Sequence, residues 1–297
     1  MGQYSIKDVE QLTGVKAHTL RIWEQRYQAI QPHRTHTNIR FYDDTQLKFL
    51  INVALLMKHG RKISKIFELS GEEMKDELRN LNTNAISGDK YTELATDCLV
   101  LSMMELDETE FDKCLSNATI KYGFEECMLK VVVPFLNKVG ILWATDEVSV
   151  AQEHFISNLV RRKLMVAIDG QQSINKDPKK FLLFLPEGEL HEIGLLFAHY
   201  MIKRRGHHAI YLGQSLPMED LRKLEKVYQP DYLLTYFTIQ LENDGVSRYV
   251  IALNEHFKGK QIFICGPLAS KIKVSKKSTI KLIPNIDQMV ELFNNNL

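Results

Sequence analysis

The stretch TLRIWEQRYQAIQPHRTHTNIRFYDD, residues 19–44, decides the fold of the N-terminal region. Its first part lies in a helix that we predict from Lys16 to Tyr27. Pro32 then interrupts the backbone, and the polar residues 33–38 are typical of a hairpin tip. The residues around Phe41 predict a short returning strand. A helix followed by such a hairpin indicates the second helix and the wing of a winged helix-turn-helix.

Signals on both sides of this stretch complete the same unit. Ser5 and Asp8 have the spacing of a capping box, and Gly14 ends the short helix that they begin. Downstream, Asp43-Asp44 opens a helix that runs to Met57, and a shorter helix is predicted over residues 63–69. The longer helix places five apolar residues on one face: Leu47, Leu50, Ile51, Ala54 and Leu55.

The second helix of a helix-turn-helix enters the major groove with its N-terminal half near the base edges. Arg21 can pair bidentately with guanine, and Thr19 can hydrogen-bond a base or a phosphate. Leu20 and Ile22 are predicted to pack in the core behind this surface. The arginines from residue 26 onward are predicted to clamp phosphates, with tyrosine hydroxyls as further donors. The predicted DNA contacts are Lys16, His18, Thr19, Arg21, Arg26, Tyr27, Arg34, Arg40 and Tyr42.

Charge is unevenly distributed along the chain, although the net charge is only +1. Residues 1–70 hold 11 Lys/Arg against 6 Asp/Glu, a net of +5. The remaining residues hold 27 against 31, a net of −4. A basic head on an acidic body suits a protein that presents one end to a polyanion.

The opening stretch resembles the signature of MerR-type regulators, in which an LR-x-W-E-x-R-Y segment leads through P-x-R-T to R-x-Y. The resemblance covers residues 1–72 and implies a winged helix-turn-helix that binds an inverted-repeat operator in double-stranded DNA as a homodimer or homotetramer. Gln28 and Asn38 stand where family members usually have glycine. Asn38 still tolerates a left-handed turn. Metal-sensing relatives carry cysteines after a long dimerisation helix, and no such cluster occurs here, so metal sensing is disfavoured.

The rest of the chain shows two further patterns. Residues 73–90 are polar and are predicted to be a linker. Residues 91–172 have helical spacing broken at Pro134, which predicts a bundle of four or five helices. After a second polar break, residues 179–297 alternate short apolar runs with helical stretches, which predicts a doubly wound, Rossmann-like α/β domain. The predicted strands lie at residues 181–186, 209–213, 231–237 and 261–267.

Composition argues against several classes of protein. No apolar run approaches the ~20 residues that span a membrane. The N-terminal residues lack the charged and apolar regions of a signal peptide, so a cytoplasmic protein without a membrane partner is expected. The cysteines are far apart without a CxxC pair, so buried free thiols in a reducing compartment are expected. They are Cys98, Cys114, Cys127 and Cys265.

The segment ELHEIG, residues 189–194, follows the first predicted strand of the sheet. A loop histidine there emerges at the carboxyl edge of a doubly wound sheet, where ligands bind. A neighbouring carboxylate can orient the second nitrogen of a metal-binding imidazole. The segment resembles the D-x-H-x-x-G motif of cobalamin-binding Rossmann domains, with Glu189 for Asp. This implies that His191 binds the cobalt of cobalamin and that Gly194 lines the site. An ordinary surface-loop histidine is the alternative.

A second resemblance lies in the predicted bundle, where Trp143 is followed after nine residues by Glu153-His154. The spacing is similar to the W-x9-EH pattern in the helical cap of light-sensing, cobalamin-dependent MerR-type repressors of carotenoid genes. That resemblance implies that these three residues, with Val150, cover the upper face of the corrin of adenosyl- or methylcobalamin. The alternative is a core tryptophan and a solvated helix face.

The chain also departs from that family. Ala144 stands where the light sensors have the histidine that captures cobalt after photolysis. The family pocket for the nucleotide tail needs small residues. Its serine position falls on Tyr236, or on Thr235 if the register slips by one, and its glycine pair becomes Cys265-Gly266. A tyrosine could fill a slot that must admit a flat base.

Three functions are weighed on these grounds. The leading hypothesis is a transcription repressor whose C-terminal module controls oligomerisation by binding cobalamin. The second is a vitamin-independent regulator whose C-terminal module is a protein-interaction or oligomerisation scaffold. The third, a corrinoid mutase or methyl-transfer enzyme, is disfavoured because the chain has no substrate barrel, so no enzyme is predicted.

Overall fold

A computed structural model describes residues 4–27, 30–35, 38–58, 60–74, 77, 88–144, 148–224, 227–238, 245–275 and 278–295. The chain divides into two compact units, Met1–Ile156 and Ser157–Leu297. No helix among the described residues is long and apolar enough to cross a membrane.

The first unit begins with the predicted winged helix-turn-helix. Ser5 and Asp8 form a reciprocal capping box, and Gly14 ends the first helix with a left-handed φ of 71°. The three strands pair antiparallel in the order β1-β3-β2. The elements are β1 Tyr4–Ser5, α1 Ile6–Thr13, α2 Ala17–Tyr27, β2 His33–Arg34, β3 Arg40–Tyr42, α3 Asp44–Lys58 and α4 Ile63–Ile66.

The wing hairpin turns at Asn38, whose φ of 65° is left-handed as predicted. Thr35 N–H donates to the carbonyl of Ile39 at 2.9 Å, which closes the hairpin. Residues 36 and 37 of the predicted tip, and Gln28, lie outside the described residues.

The core of this head confirms most of the predicted apolar face. On α2, Leu20 and Trp23 are buried, but Ile22 is 49% exposed, so the prediction that Ile22 packs in the core is wrong. Each residue advances about 100° around a helix, so Ile22 lies nearly opposite Leu20. Of the five residues predicted for the apolar face of α3, Leu47, Leu50, Ile51 and Ala54 are buried, while the side chain of Leu55 lies outside the description.

The bundle follows in the same unit. Its elements are α5 Gly88–Glu105, α6 Glu108–Tyr122, α7 Phe124–Cys127, a π-helical turn Met128–Val132, α8 Val133–Ala144 and α9 Val150–Asp169, whose last part belongs to the second unit. The helical bundle is therefore confirmed.

Pro134 does not break the helix as predicted, because it is the second residue of α8. A proline inside a helix lacks an N–H and crowds the carbonyl four residues earlier. Here the turn before it is π-helical, with Val133 N–H donating to the carbonyl of Met128, five residues back. The wider turn accommodates the ring.

The expectation of free thiols is wrong for one pair of cysteines. Cys98 of α5 and Cys114 of α6 form a disulfide, with their Cα atoms 6.5 Å apart. The short connection makes these two helices antiparallel neighbours, so residues 16 positions apart face each other. Cys127 and Cys265 are free and buried, as expected.

The second unit contains the predicted parallel sheet. Its strands are β4 Lys180–Phe184, β5 His208–Tyr211, β6 Tyr232–Tyr236, β7 Gln261–Cys265 and β8 Ile280–Ile283, and they lie in the order β5-β4-β6-β7-β8. The helices are α10 Ile193–Arg204, α11 Met218–Leu224, α12 Gly245–His256 and α13 Ile286–Asn295. From β4 the chain adds β5 on one side and then β6 on the other, so the strand order reverses beside β4. In sheets of this kind, ligands bind at such a switch point, outside the carboxyl ends of the strands.

Candidate functional site

Helix α2 presents an exposed, basic surface in the head. Its N-terminus is fastened to α1, because Ala17 N–H donates to Glu10 Oε2 at 3.1 Å. Lys16 Nζ lies 3.1 Å from the other oxygen of the same carboxylate. The predicted DNA contacts on this helix are exposed at His18, Arg21 and Arg26, and half-buried at Thr19 and Tyr27. Ile22 lies exposed among them, a position that the sequence analysis assigned to the core.

Glu24 connects this helix to the wing. Its Oε2 accepts a hydrogen bond from Arg40 Nε at 3.1 Å, and its Oε1 accepts one from the hydroxyl of Tyr42. Glu24 is 9% exposed and Arg40 is 30% exposed, so the ion pair is largely shielded from water. One carboxylate therefore sets the position of the strand β3 relative to α2. Glu24 was not among the predicted site residues, since no local signal marks partners 16 and 18 residues away.

The prediction that Tyr42 donates a hydroxyl to DNA is wrong. The residue is fully buried, because it is the position of β3 that faces the head's core. Burial, followed by the hydrogen bond to Glu24, raises the pKa of Tyr42. Its hydroxyl is thus a structural donor within the protein.

The wing and the end of α2 carry the remaining predicted contacts. Arg34 is exposed, and its Nη1 donates to Asn38 Oδ1 at 2.8 Å across the hairpin. The ring of Tyr27 stacks on Phe67 at 4.7 Å between centroids, and the guanidinium of Arg26 lies 5.7 Å from the Tyr27 ring. Cationic groups therefore occupy both the helix and the wing.

We expect Glu24→Ala to lower the free energy of unfolding by about 1–3 kcal/mol, because it removes the acceptor of a buried hydroxyl and the partner of Arg40. Urea unfolding measures this loss. Affinity for operator DNA should fall as well, since the wing loses its tie to α2.

The matched control is Glu24→Gln, which keeps one acceptor oxygen and should lose less than the alanine variant. A second control, Gln25→Ala, changes an exposed neighbour and should leave stability unchanged. An unfolding curve of Glu24→Ala that coincides with that of the unmodified protein would contradict this account.

The second unit places a histidine–carboxylate pair at the carboxyl edge of its sheet, in the loop between β4 and α10. Glu189 is fully buried, and its Oε1 lies 2.7 Å from His191 Nδ1 and 3.0 Å from the backbone N–H of His191. Its Oε2 accepts from Thr238 N–H at 2.8 Å. The side chain of His191 is 53% exposed. With the proton on Nδ1, Nε2 carries the lone pair, the form in which histidine binds metals.

The loop after β5 supports this pair. Ser215 N–H donates to the carbonyl of Glu189 at 3.2 Å, and Ser215 Oγ accepts from Gly188 N–H at 3.1 Å. Gln214 Nε2 donates to the carbonyl of Leu190 at 2.6 Å. Gln214, Ser215 and Thr238 were not among the predicted site residues, because their partners lie in the loop after β4, far away in the sequence.

The next residue of the same loop, Glu192, makes contacts that hold neighbouring elements together. Its nearly buried carboxylate accepts from the Tyr211 hydroxyl and pairs with Arg161 of α9. It therefore joins α9 to β5 through the start of α10, while Glu189 orients the histidine.

Tyr236 lies between two glycines at this edge. A Cβ added to Gly194 would come within 2.5 Å of Tyr236 Cζ, and one added to Gly266 within 2.7 Å of Tyr236 Cε1. Thr235, the alternative in the sequence analysis, is fully buried within the sheet. The residue between the glycines is therefore Tyr236. The histidine–carboxylate pair suits a cobalt ligand, whereas the slot between the glycines is filled by a side chain.

The predicted cap residues all lie in the first unit. Trp143 and Ala144 end α8, and their side chains are outside the described part of the structure. Val150 begins α9 and is exposed. On the next turn, His154 Nδ1 lies 2.9 Å from Glu153 Oε2, with His154 exposed. Glu189, His191 and Gly194 lie in the second unit.

Comparison with known proteins confirms the two predicted modules. Residues 4–71 match the MerR HTH family of regulatory proteins, and residues 97–167 match the B12 binding domain. The chain is homologous to two HTH-type transcriptional repressors of Myxococcus xanthus. It is 28% identical to CarH over 232 residues, 77% of each chain, and 24% identical to CarA over 233 residues, 78% of this chain and 75% of CarA.

Solved structures share part of this fold. The Methanosarcina barkeri monomethylamine corrinoid protein matches with a TM-score of 0.52 and 14% identity, over 69% of this chain and 96% of its own. At this identity the likeness concerns the fold alone.

Proposed function

We propose that this chain, a DNA-binding regulator with a MerR-type head and a B12-binding domain, homologous to the CarH and CarA repressors, represses transcription from an inverted-repeat operator. The observation that carries this proposal is the exposed basic surface of α2, flanked by the arginine of the wing. We expect the regulator to act in the cytoplasm as a homodimer or homotetramer, since an inverted repeat mirrors the two-fold symmetry of such a protein.

In this proposal the residues divide into two groups by the part of DNA that they contact. Arg21 contacts a guanine edge, with His18 and Thr19 beside it in the groove. Phosphate contacts come from Lys16, Arg26, Tyr27, Arg34 and Arg40. Arg40 is held by Glu24, so its contact depends on an internal ion pair.

The match to the B12 binding domain covers residues 97–167, and we propose that the sheet domain that follows it supplies the residues that hold the ligand. His191 Nε2 would bind the cobalt of a corrinoid, such as the adenosyl or methyl form, and Glu189 would orient the imidazole. When bound, the corrinoid would supply an organometallic cobalt centre. In this proposal, binding of the corrinoid changes the oligomeric state of the protein. For Trp143, Val150, Glu153 and His154, a role in cofactor binding stays a prediction from the sequence pattern.

A gel-shift titration with a fragment of the chain's own promoter tests the DNA-binding half. Affinity should fall steeply as salt rises, because each neutralised phosphate contributes about −0.9 to the slope of log K against log salt. Arg34→Ala should make that slope shallower by about 1. Equal affinity for the promoter and for unrelated DNA at every salt concentration would count against a specific repressor.

Tyr236 favours a second candidate function, a regulator that needs no vitamin. A filled slot suits a scaffold that oligomerises or binds a partner protein in place of cobalamin. The same titration with and without cobalamin separates the two, because only the ligand-dependent regulator changes its DNA affinity or its elution volume.

A further inference from the structure

The ring of Tyr236 is wedged at the carboxyl edge of the sheet between α10 and the end of β7. Tyr236 is the last residue of β6 and pairs in register with Cys265 of β7. Gly194 lies in the first turn of α10, and Gly266 directly follows β7. Because a single methyl group on either glycine would overlap the ring, the ring already fills this space to van der Waals contact.

The backbone conformation at Gly266 also limits the space around the Tyr236 ring. Its φ is +99°, a conformation that favours glycine, and a Cβ there would collide with the carbonyl oxygen of Phe237. On the sides formed by Gly194 and Gly266, the slot is therefore bounded by backbone atoms, which cannot swing away as a long side chain can.

A tyrosine ring and a benzimidazole base are both flat aromatic groups, and a close-packed interior cannot contain both in one slot. Moving Tyr236 out would expose an aromatic surface that is now largely buried. Burial also raises the pKa of the Tyr236 hydroxyl, as expected for a phenol kept away from water.

The histidine–carboxylate pair that would hold cobalt is formed at the same edge of the sheet as the filled slot. Glu189 Oε1 orients His191, and Glu189 Oε2 accepts from Thr238 N–H, two residues after Tyr236. The end of β6 and the residues just after it therefore do two things. They fix the Glu189 carboxylate through Thr238, and they place the Tyr236 ring in the slot. The ligand residues are present while the space for the nucleotide base is not.

We infer that the site at the carboxyl edge of the sheet takes corrinoids that lack a nucleotide base in preference to complete cobalamins, because Tyr236 occupies the place of that base. This inference rests on the proposed function, since it names the ligand class of the same site. The recognised chemistry is a cobalt-centred corrin ring without the benzimidazole tail.

The test compares two probes on the full-length protein, diaquocobinamide without the base and hydroxocobalamin with it. Titration is followed by absorbance, and bound corrinoid is confirmed by gel filtration. We expect cobinamide to bind about 5- to 150-fold more tightly, the range that overpacking of a close-fitting site produces. Equal affinities, or tighter binding of hydroxocobalamin, would overturn the inference.

Two substitutions locate the effect. Tyr236→Ser empties the slot and should raise hydroxocobalamin affinity at least about 10-fold, with cobinamide affinity little changed. Tyr236→Phe keeps the ring and should preserve the preference for cobinamide. If the serine variant does not fold, the comparison of probes on the unmodified protein and on Tyr236→Phe still decides the matter.

The outcomes separate this inference from the proposed function. Equal binding of both probes contradicts the role of Tyr236 and leaves a corrinoid-binding repressor in place. Binding of neither probe to any variant overturns both the inference and the corrinoid part of the proposed function, while the gel shift still reports on DNA binding independently.

Discussion

Replacing His191 by alanine is expected to weaken cobinamide binding by more than about 100-fold and to abolish the absorbance change of histidine ligation. Losing an outer-shell partner of a metal ligand typically costs about 10–100-fold, and loss of the ligand itself should exceed that. The imidazole is half exposed and is oriented by a fully buried carboxylate, so its removal deletes the ligand atom without opening the core.

Three controls accompany this variant. Glu189→Gln weakens the orienting hydrogen bond and should lower affinity by about 10–100-fold. His208→Ala removes an exposed histidine at the start of β5 and should change nothing. Urea unfolding of His191→Ala should match that of the unmodified protein. An unchanged corrinoid spectrum in His191→Ala would show that the ligand has been misassigned.

Arg21→Ala should cost the head about 1–3 kcal/mol of preference for its operator over scrambled DNA, a factor of roughly 5 to 150. The guanidinium lies exposed in the N-terminal half of α2, the part of a recognition helix that lies near the base edges. Competition gel shifts with operator and scrambled duplexes measure the ratio of affinities directly.

Arg26→Ala is the matched control, because it removes the same charge one and a half turns further along the helix. It should weaken binding to both duplexes alike, as loss of a phosphate contact does. If Arg21→Ala also weakens both duplexes equally, Arg21 contacts phosphate and another residue of α2 distinguishes the bases. The exposed Ile22 would then be the first candidate, as an apolar contact for a thymine methyl.

The head was predictable from sequence wherever its signals are local. The capping box of Ser5 and Asp8, the stop at Gly14 and the turn at Asn38 each depend on residues within a few positions, and each was confirmed. The role of Tyr42 was not predictable in this way, because the acceptor of its hydroxyl, Glu24, lies on a different element.

The body shows the same division between local and long-range information. Strands β4 to β7 were predictable because each contains a continuous apolar run. Strand β8, at the sheet edge, has Lys281 between its apolar residues and was not predicted. The pairing of Cys98 with Cys114 depends on how two helices pack. The choice between Thr235 and Tyr236 required the register of β6 against β7, which no run of residues specifies by itself.

The π-helical turn at Met128–Val132 sets the rotation of the helix that follows it, α8, about its own axis. An α-helix advances about 100° per residue, while a π turn winds more slowly around the axis. If these five residues rewound as ordinary α-helix, everything from Val133 to Ala144 would turn by about 100° about the axis. The turn therefore sets the position of Trp143 and Ala144 around the helix axis. Deletion of a single residue within it would test how strictly that position is required.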